Sequence, residues 1–540
     1  MSDKPPTRST PVLPPPTLAG WRELQDRPDH LHAALAATLE LVHASAAAGI
    51  WISLCPRATW VAQLDTLAER LAATPDLAER RGRWPLLGVP FGIKDNIDVA
   101  GVPTTAACPA WRRLPTEHAS VVQRLLAAGA IWVGKTNLDQ FATGLVGTRS
   151  PYGRPSSAVD PMRISGGSSS GSAAAVARGQ VPFALATDTA GSGRVPAGFN
   201  GLVGLKPTPG RVGNGGVLPA CRTLDCVAVL AHTVSDAAQV LALIEGPDPR
   251  DSYSDFRPGA PALPATLRIG VPARPDLDDT IGYTGAWAAA LARATGLGHT
   301  LVEIDMAPLT AVAALLYDGP WVAERHAVVR ELLARQPEAF DPSVRRVIER
   351  ALGLSATDAF EGFYRLQTLR QEAERLWPQV DLLMLPTAPT HPTFAQVDAD
   401  PLGVNSRLGT YTNFVNLLGW CALALPAGRT GIGLPFGVTV VAPGGLDAAL
   451  AGFGLAWCDE SAAPAERWPA VATPPHPADA IAARIGLPLA DAHRPGVRHY
   501  FDLAAGMAEQ VMGLPLGIED EPAETFVPIG PDALAAGESR

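Results

Sequence analysis

Three short segments combine residue types that could carry out acyl transfer. One is a run of three serines between glycines, ISGGSSSGSAAAVARG at 164–179. The second is a small-residue turn, TDTAGSGRVPA at 187–197, and the third is an apolar stretch ending in a lysine, LLGVPFGIKD at 86–95. A serine hydroxyl is a weak nucleophile and needs a neighbouring base. The three segments therefore predict a serine hydrolase, provided that the fold brings a base to one of the serines.

The serine run has two other interpretations, a flexible Gly/Ser linker and a nucleotide-binding loop. The linker conflicts with the context, because the run is followed at once by the helix-like AAAVA and then by the strand-like VPFALAT. The nucleotide loop lacks the GxxxxGK[ST] pattern. A Gly-rich turn that opens a helix presents backbone N–H groups and tolerates unusual dihedral angles, which suits an active-site loop.

Ser192 is the candidate nucleophile, and the fold can bring Ser168 to it. Twenty-four residues separate the two serines, and a helix leading away followed by a strand leading back can return the chain to its starting point. Thr189, Ala190 and Gly191 precede Ser192 in a turn whose backbone amides could converge on one point. Such amides would stabilise the oxyanion of a tetrahedral intermediate, so these three residues form the predicted oxyanion hole.

Lys94 is the candidate base. Histidine is the usual partner of a catalytic serine, but none lies between His118 and His232. Burial favours the neutral amine, so a lysine shielded from water can accept a proton. Lysine is much rarer than arginine in this chain, which makes a lysine in an apolar strand less typical of a solvated charge. The alternative is a partly exposed Lys94 paired with Asp95.

Strand-like and helix-like segments alternate around these motifs. Short apolar runs alternate with helical stretches and Gly-rich turns between 86 and 240, which predicts an α/β sheet with helices on its faces. Further strand-like segments lie at 266–272, 381–389 and 434–441. Helical patterns cover approximately 28–80, 284–296, 308–338 and 355–376.

Composition predicts three parts of the chain. Residues 1–22 are Pro-rich and are expected to be a disordered leader. Residues 23–461 carry the alternating pattern and are expected to form the catalytic domain. Residues 462–540 are expected to be a short carboxyl-terminal extension of unknown role, with one plausible helix in HYFDLAAGMAEQVMGL.

Charge and cysteine usage exclude several function classes. The formal net charge of −10 provides no basic field for nucleic acid or an anionic membrane, and no run of eighteen apolar residues predicts a transmembrane helix. We therefore expect neither partner, and a cytoplasmic enzyme. The six cysteines form no CxxC pair, no HExxH motif occurs, and a catalytic metal is not expected. Cys108 and Cys221 are expected to be buried thiols, and either could line a pocket.

Taken together, the three segments resemble the amidase signature family. The family pattern has a Lys-Asp-Asn motif at a strand end, a GGSS(S/G)G loop, and a D-x-x-G-S-x-R-x-P turn with its nucleophile twenty-four residues after the loop serine. The matching positions are Lys94-Asp95-Asn96, Gly166 through Gly171, and Asp188 through Pro196. GKTNLDQFATG at 134–144 and GLVGLKPTPGRV at 201–212 also match, so the resemblance spans residues 25 to 460 approximately.

The resemblance implies the amidase-signature fold, a large mixed and twisted β-sheet covered by α-helices on both faces. It implies that Ser192 is the acylated nucleophile, Ser168 a bridging serine on a cis peptide bond, and Lys94 the terminal base. Asp188 and Arg194 flank the nucleophile, and we expect them to brace its turn by a charge-assisted contact. The family chemistry needs no cofactor.

Within that family the chain is most similar to allophanate hydrolases, through LPACRTLDCVAV, LLYDGPWVAERHAVV and GTYTNFVNLLGWCALALPAG. This implies a hydrolase that releases ammonia from the terminal amide of allophanate, a small substrate with a carboxylate. Tyr317, Arg325 and Gly144 match substrate-contacting positions. The alternative for Arg325 is a surface helix charge beside Glu324.

Other functions compatible with the motifs are hydrolysis of other small, aryl or acyl amides, and action as the amidase-type subunit of a tRNA-dependent amidotransferase. The amidotransferase function would require stable partner chains. A binding protein without activity would require a vestigial triad. The chain lacks a convincing match to the carboxyl-terminal domain of some allophanate hydrolases, which leaves assembly open, with a homodimer among the expected states.

Overall fold

The structure is a computed structural model that describes residues 13–45, 48–257, 259, 262–460, 490, 493, 494, 496–498 and 500. The chain divides into two compact units, Met1–Pro464 and Ala465–Arg540. The sheet and its helices lie in the first unit. The helix predicted from HYFDLAAGMAEQVMGL lies outside the described residues except for Tyr500.

An eleven-stranded sheet forms the centre of the first unit, in the spatial order β1-β3-β2-β4-β6-β5-β10-β11-β9-β7-β8. In chain order its strands are β1 (Trp51–Leu54), β2 (Pro90–Lys94), β3 (Ile131–Thr136), β4 (Phe183–Asp188), β5 (Val203–Lys206), β6 (Cys226–Ala231), β7 (Arg268–Pro272), β8 (Thr300–Ile304), β9 (Leu382–Pro386), β10 (Cys421–Arg429) and β11 (Pro435–Ala442). Strand β2 is parallel to β3 and β4, and β7 is parallel to β8 and β9. The other pairs are antiparallel, so the sheet is mixed, and the predicted fold class is confirmed.

Helices cover the sheet. They are α1 (Leu18–Glu23), α2 (Pro28–Ala44), α3 (Arg57–Ala73), α4 (Leu77–Arg83), α5 (Ser120–Ala127), α6 (Ser170–Ala177), α7 (Arg194–Asn200), α8 (Val234–Ile244), α9 (Tyr283–Gly296), α10 (Ala307–Ala314), α11 (Val322–Arg335), α12 (Pro342–Glu349), α13 (Ala356–Glu374), α14 (Phe394–Ala399), α15 (Gly403–Leu408), α16 (Phe414–Leu417) and α17 (Asp447–Trp457). Every residue of β2, β4, β6, β9 and β11 is buried, so both faces of these strands are covered. None of the helices described is long and apolar enough to cross a bilayer.

The parallel strands β2, β3 and β4 bring the motif segments to one edge of the sheet. The carboxyl ends of parallel neighbours meet at the same edge, and the register pairs Ile93 with Leu185. Lys94 ends β2 and Asp188 ends β4. The serine run opens α6, which leads away from this edge before β4 returns to it. The predicted route from Ser168 to Ser192 is therefore the route of the chain.

The end of the predicted leader is ordered, which corrects its boundary at residue 22. Thr17 caps α1 by accepting a hydrogen bond from the Gly20 amide, and Leu18 and Trp21 are fully buried. The amide of Leu18 also donates to Asp236 Oδ2 at 3.2 Å. Composition suggested disorder, but a short helix that carries a Trp and a Leu can still dock when the fold offers an apolar surface.

The other differences from the predicted elements concern short or interrupted segments. The helical pattern assigned to 28–80 contains the edge strand β1, which pairs with β3. The pattern assigned to 308–338 is divided into α10 and α11, with Gly319-Pro320 between them. Proline cannot continue the helical hydrogen bonding, which explains the break. Strand β10 was not predicted, although it pairs with both β5 and β11.

Candidate active site

Lys94 lies at the carboxyl end of β2 with its side chain fully buried. Its Nζ is 2.8 Å from the hydroxyl of Ser168, 2.8 Å from the hydroxyl of Thr187 and 3.4 Å from the Thr187 carbonyl. The alternative of an exposed Lys94 paired with Asp95 is wrong, because Asp95 forms its ion pair with Lys135 at 2.9 Å. The structure thus places a buried amine directly on the loop serine.

The surroundings of Lys94 favour the neutral amine. Burial lowers the pKa of Lys94 to about 7, and the negative charges of Asp139, Asp188 and Asp225 oppose this shift without cancelling it. A neutral amine has two N–H donors and one lone pair. A neutral Lys94 amine can therefore donate to the two Thr187 oxygens and accept a hydrogen bond from the Ser168 hydroxyl, which satisfies all three contacts. Lys94 can therefore take a proton from Ser168.

Ser168 and Ser192 are brought together by the backbone. The Gly167–Ser168 peptide bond is cis, which the resemblance implies. The next amide, that of Ser169, donates to the carbonyl of Ser192 at 3.3 Å. The Ser192 hydroxyl donates to the carbonyl of Gly144 at 3.4 Å, so in this structure its proton is directed to that carbonyl. Both serines are buried, at 0% and 3% exposed, which shields the pair from bulk water.

Asp188 and Arg194 brace the nucleophile turn as expected. Arg194 donates from Nε to Oδ2 at 2.9 Å and from Nη2 to Oδ1 at 2.8 Å, and both side chains are fully buried. Burial by itself would raise the pKa of Asp188, but the Arg194 and Lys206 charges together with hydrogen bonds lower it to about 2. The carboxylate is therefore ionised and acts as a fixed anchor, with no proton to transfer near neutral pH.

Asp188 also binds the amide of Gly191, one of the three amides predicted for the oxyanion hole. The Gly191 amide donates to Asp188 Oδ1 at 2.8 Å, so it braces the turn and is not free to bind an oxyanion. Gly191 has φ +122°, and a Cβ there would collide with Thr412. Thr189 and Ala190 lie at the same turn, next to Ser192. Only glycine fits at 191 because of both the dihedral angle and the close approach of Thr412.

Arg325 is buried, so it is not the surface charge of the alternative interpretation. It is 2% exposed, and its Nη1 donates to Thr143 Oγ1 at 3.0 Å. Its guanidinium lies 5.5 Å from the ring centre of Tyr317. Thr143 precedes Gly144, whose carbonyl accepts from the Ser192 hydroxyl, so of the three predicted substrate-contacting residues Gly144 touches the nucleophile directly. The Nε of Arg325 is buried without a hydrogen-bond partner among the described residues.

Both predicted thiols, Cys108 and Cys221, are buried. Cys221 is fully buried and its Sγ donates to the Trp321 carbonyl at 3.6 Å, one turn before Arg325. Burial raises the pKa of the Cys221 thiol. Cys108 is buried in an apolar cluster with Phe141. Within the described ranges, no three His, Cys, Asp or Glu side chains are grouped as metal ligands.

Sequence reasoning did not single out Thr187 or Asp225. Thr187 holds the Lys94 amine, and it also accepts from Asn96 Nδ2 at 3.3 Å. Asp225 is buried and accepts a short hydrogen bond from the Thr189 hydroxyl. Thr187 is the first residue of the motif TDTAGSGRVPA, next to Asp188, so its place in the motif could have identified it. Asp225 is 36 residues from Thr189, and nothing in the local sequence pairs them.

The chain is similar to known proteins over most of its described residues. The Amidase family matches residues 57–451. Urea amidolyase of Saccharomyces cerevisiae is 46% identical over 405 residues, which is 74% of this chain and 22% of that protein. The chain thus spans less than a quarter of this relative's length. A second family, named AtzG-like after a subunit of 1-carboxybiuret hydrolase, matches residues 479–526, which fall almost wholly outside the described part of the chain.

Two further relatives are matched over more of their length. A glutamyl-tRNA(Gln) amidotransferase subunit of Synechococcus sp. (strain RCC307) is 37% identical, with 70% of this chain and 84% of that protein covered. The solved structure of Kluyveromyces lactis allophanate hydrolase superposes with a TM-score of 0.77 and 40% identity, covering 82% of this chain and 72% of the other. With its buried lysine and serines at the edge of a mixed sheet, the chain belongs to the amidase family.

Proposed function

We propose that this protein is a serine amidohydrolase that releases ammonia from the terminal amide of allophanate. The observation that carries the proposal is the contact of the buried Lys94 amine with the Ser168 hydroxyl at 2.8 Å. The amine and hydroxyls supply a base and a nucleophile, and Arg325 supplies a cation for a small anionic substrate. The relatives named urea amidolyase and allophanate hydrolase support this choice of substrate.

The first half of the reaction forms an acyl-enzyme. Neutral Lys94 takes the proton of Ser168, and Ser168 takes the proton of Ser192 as the Ser192 oxygen bonds to the amide carbon. This step requires the Ser192 hydroxyl to turn from the Gly144 carbonyl toward Ser168. The negative charge moves to the carbonyl oxygen, where backbone amides of Thr189 and Ala190 stabilise it.

The relay then runs in reverse to release ammonia. The proton held by Lys94 returns through Ser168 to the amide nitrogen, and the carbon–nitrogen bond breaks. Ammonia leaves, and the acyl group remains bound to Ser192 as an ester. Water attacks this ester by the same base chain and regenerates the serine. The released N-carboxycarbamate is expected to lose carbon dioxide without help. We expect the reaction to need no cofactor, because the relay side chains, the backbone amides and water supply every step.

Arg325 is the residue that favours an anionic substrate. It is buried against the Thr143 hydroxyl, the Ala142 carbonyl and the ring of Tyr317, and its Nε remains available among the described residues. A guanidinium can hold a carboxylate through two parallel hydrogen bonds. Arg325 contacts Thr143, and the next residue, Gly144, accepts a hydrogen bond from Ser192 on its carbonyl. A carboxylate held by Arg325 would therefore place a nearby amide carbon at the nucleophile.

A substrate panel tests the proposal. Purified full-length protein is incubated with allophanate, malonamate and a neutral amide of similar size, and ammonia is measured. We expect allophanate to have the largest kcat/KM, malonamate to be hydrolysed more slowly, and the Ser192→Ala variant to release none. A neutral amide preferred over allophanate by a hundredfold would remove the proposed substrate and leave a hydrolase of other small, aryl or acyl amides.

A second candidate is the amidase-type subunit of a tRNA-dependent amidotransferase, favoured by the 37% identity over most of the Synechococcus protein. This function predicts stable partner chains and little activity in their absence. Expression of the chain alone in a heterologous host distinguishes the two. Ammonia release from allophanate by the isolated chain supports the hydrolase, whereas activity that appears only with added partner chains supports the amidotransferase.

We also propose that the protein acts in the cytoplasm and assembles as a homodimer. Light scattering after size exclusion would test the assembly. We further propose a role in assembly for residues 479–526, which match a family named after a hydrolase subunit. Removal of residues 465–540 at the unit boundary should change the assembly state but leave the relay residues in place.

A further inference from the structure

Asp225 is a buried carboxylate at the edge of the proposed oxyanion hole. It accepts a short hydrogen bond on Oδ1 from the Thr189 hydroxyl, and backbone amides donate to it from Cys221 at 3.2 Å and Ala220 at 2.7 Å. The antiparallel pairing of β4 with β6 sets this contact, because it places Asp188 opposite Cys226. Asp225 and Thr189, one residue beyond that pair on each strand, are therefore neighbours.

The same carboxylate closes the loop 220–225, and this loop is attached to α11. The Glu324 carboxylate accepts hydrogen bonds from the amide of Thr223, at 2.9 Å, and from its hydroxyl. Cys221 donates to the Trp321 carbonyl just before the helix. The loop thus joins the turn before the nucleophile to the helix that carries Arg325.

Asp225 also lines a polar cavity of about 200 Å³. Its lining includes Asn214, Arg222, Arg250 and Asp251. Asn214 donates from Nδ2 to the Asp225 backbone carbonyl at 3.0 Å, which fixes the backbone of this residue. The carboxylate is consequently fixed by hydrogen bonds from its own loop and from the opposite strand, so it has little freedom to move.

We propose that Asp225 is a positioning residue for amide hydrolysis. It fixes the orientation of Thr189 in the proposed oxyanion hole, and it fixes the position of Thr189 relative to α11, the helix that carries Arg325. This inference rests on the proposed amidohydrolase function. Asp225 does not touch the relay side chains through a hydrogen bond of its own. It acts through the Thr189 hydroxyl and, on the other side, through loop 220–225.

Asp225 also contributes charge to the site. Its negative charge raises the pKa of Lys94 against the larger lowering by burial. Burial raises the pKa of Asp225 itself to about 6, while its hydrogen bonds and Arg325 oppose that shift. Charged or titratable groups that face it from its own loop, from β2, β6 and α11, and from the cavity are Lys94, Cys221, Arg222, Cys226, Arg250, Asp251 and Arg325.

The test compares Asp225→Asn with Asp236→Asn in the full-length protein, using whichever amide the wild type hydrolyses best. Asp236 is a matched control, because it is also buried, has a pKa that burial raises to about 6, and also accepts from a backbone amide, that of Leu18. It lies on α8, away from the relay. We expect Asp225→Asn to lower kcat by about a hundredfold with a much smaller change in KM. Asp236→Asn should keep kcat within about twofold.

The pH profile separates positioning and charge from a general loss of stability. Replacing the Asp225 carboxylate with a neutral amide removes a charge that raises the pKa of Lys94, so the acidic limb of kcat/KM should move to lower pH. Asp236→Asn should leave that limb in place. Equal kcat and equal profiles for the two variants would overturn the proposal, provided that the wild type is active. An inactive wild type would instead refute the proposed function.

Thr189→Val keeps the inference testable if Asp225→Asn does not fold. Valine removes the hydroxyl that donates to Asp225 and keeps the backbone amide. If Asp225 acts through this hydroxyl, Thr189→Val should lower kcat by a similar factor, and the double variant should be no worse than the poorer single variant. Effects that multiply in the double variant, or a Thr189→Val variant with wild-type kcat, would overturn the proposal.

Discussion

Lys94 and Lys135 are fully buried lysines on adjacent parallel strands, yet their surroundings differ. Lys135 forms an ion pair with Asp95 at 2.9 Å and also contacts the Thr104 hydroxyl. Lys94 contacts the hydroxyls of Ser168 and Thr187 and a carbonyl. The two are offset by one residue in register, so their side chains leave opposite faces of the sheet.

The difference shows how one residue type can serve structure or chemistry. A buried ammonium is stabilised by a directly bound carboxylate, as in Lys135. Where hydroxyls replace the carboxylate, burial disfavours the charge, and the pKa of Lys94 falls to about 7. Only the second arrangement leaves a lone pair for a proton of Ser168. The comparison therefore predicts that changes at Lys94 affect activity, whereas changes at Lys135 affect stability.

The largest expected effect is on activity, from Lys94→Met. Methionine keeps the volume and removes the base, so kcat/KM for the best substrate should fall by about a thousandfold. Thermal unfolding should change little, because no buried charge loses its partner. Ammonia release and Tm are measured on the same preparations, with wild type as reference. Activity within tenfold of wild type would break the assignment of Lys94 as the base.

Lys135→Met should give the opposite result. It leaves the Asp95 carboxylate buried without its cation, which should lower the free energy of unfolding by about 3–5 kcal/mol. Urea unfolding followed by circular dichroism measures this loss. The double variant Lys135→Met/Asp95→Asn is the control, and it should recover part of the stability because no unpaired charge remains. A loss below about 1 kcal/mol would mean that the ion pair is not needed for the fold.

A third buried cation, Arg325, sharpens the comparison, because a hydroxyl, a carbonyl and a ring surround it. Arg325→Ala should raise KM for a carboxylate-bearing amide by about thirtyfold, which corresponds to ~2 kcal/mol, and lower kcat much less. The KM of a neutral amide should be nearly unchanged, and Arg325→Lys should restore part of the difference. Unchanged kinetics with allophanate would refute the anion-binding role.

The smallest effect is the pH dependence of the wild type. A base must be neutral to accept a proton, so protonation of Lys94 should reduce kcat/KM about tenfold for each unit below pH 7. Above that pH the rate should level off, because the amine is already neutral. Rates are measured between pH 6 and 9 with an enzyme-free blank at each pH. A rate that is flat down to pH 6 would contradict the lowered pKa of Lys94.

Much of the candidate site could be predicted from the sequence because its chemistry is carried by compact segments. The strand ending at Lys94, the loop around Ser168 and the turn before Ser192 each combine a secondary-structure signal with a reactive residue. The route from one serine to the other follows local rules for helices and strands. Local patterns could not show that the Gly191 amide is held by Asp188 or that the Ser192 hydroxyl donates to Gly144.

The burial of the amino-terminal helix and the formation of strand β1 depend on contacts between residues that are distant in sequence. Trp21 is buried in a segment whose composition favours disorder, because the rest of the fold supplies its apolar surroundings. Strand β1 has only four residues, too few for a clear alternation, and its pairing with β3 stabilises it. In both cases the stabilising partner is remote in sequence.

The amino-acid sequence by itself determined which groups are available for chemistry, namely an amine, two hydroxyls and a guanidinium on elements of predictable type. The tertiary structure decided their state. It placed Asp95 on Lys135 and hydroxyls on Lys94, and it buried Arg325 against the Thr143 hydroxyl. The physical reason is that a pKa depends on solvation and on charges a few ångströms away, and strand pairing brings those charges from distant parts of the chain.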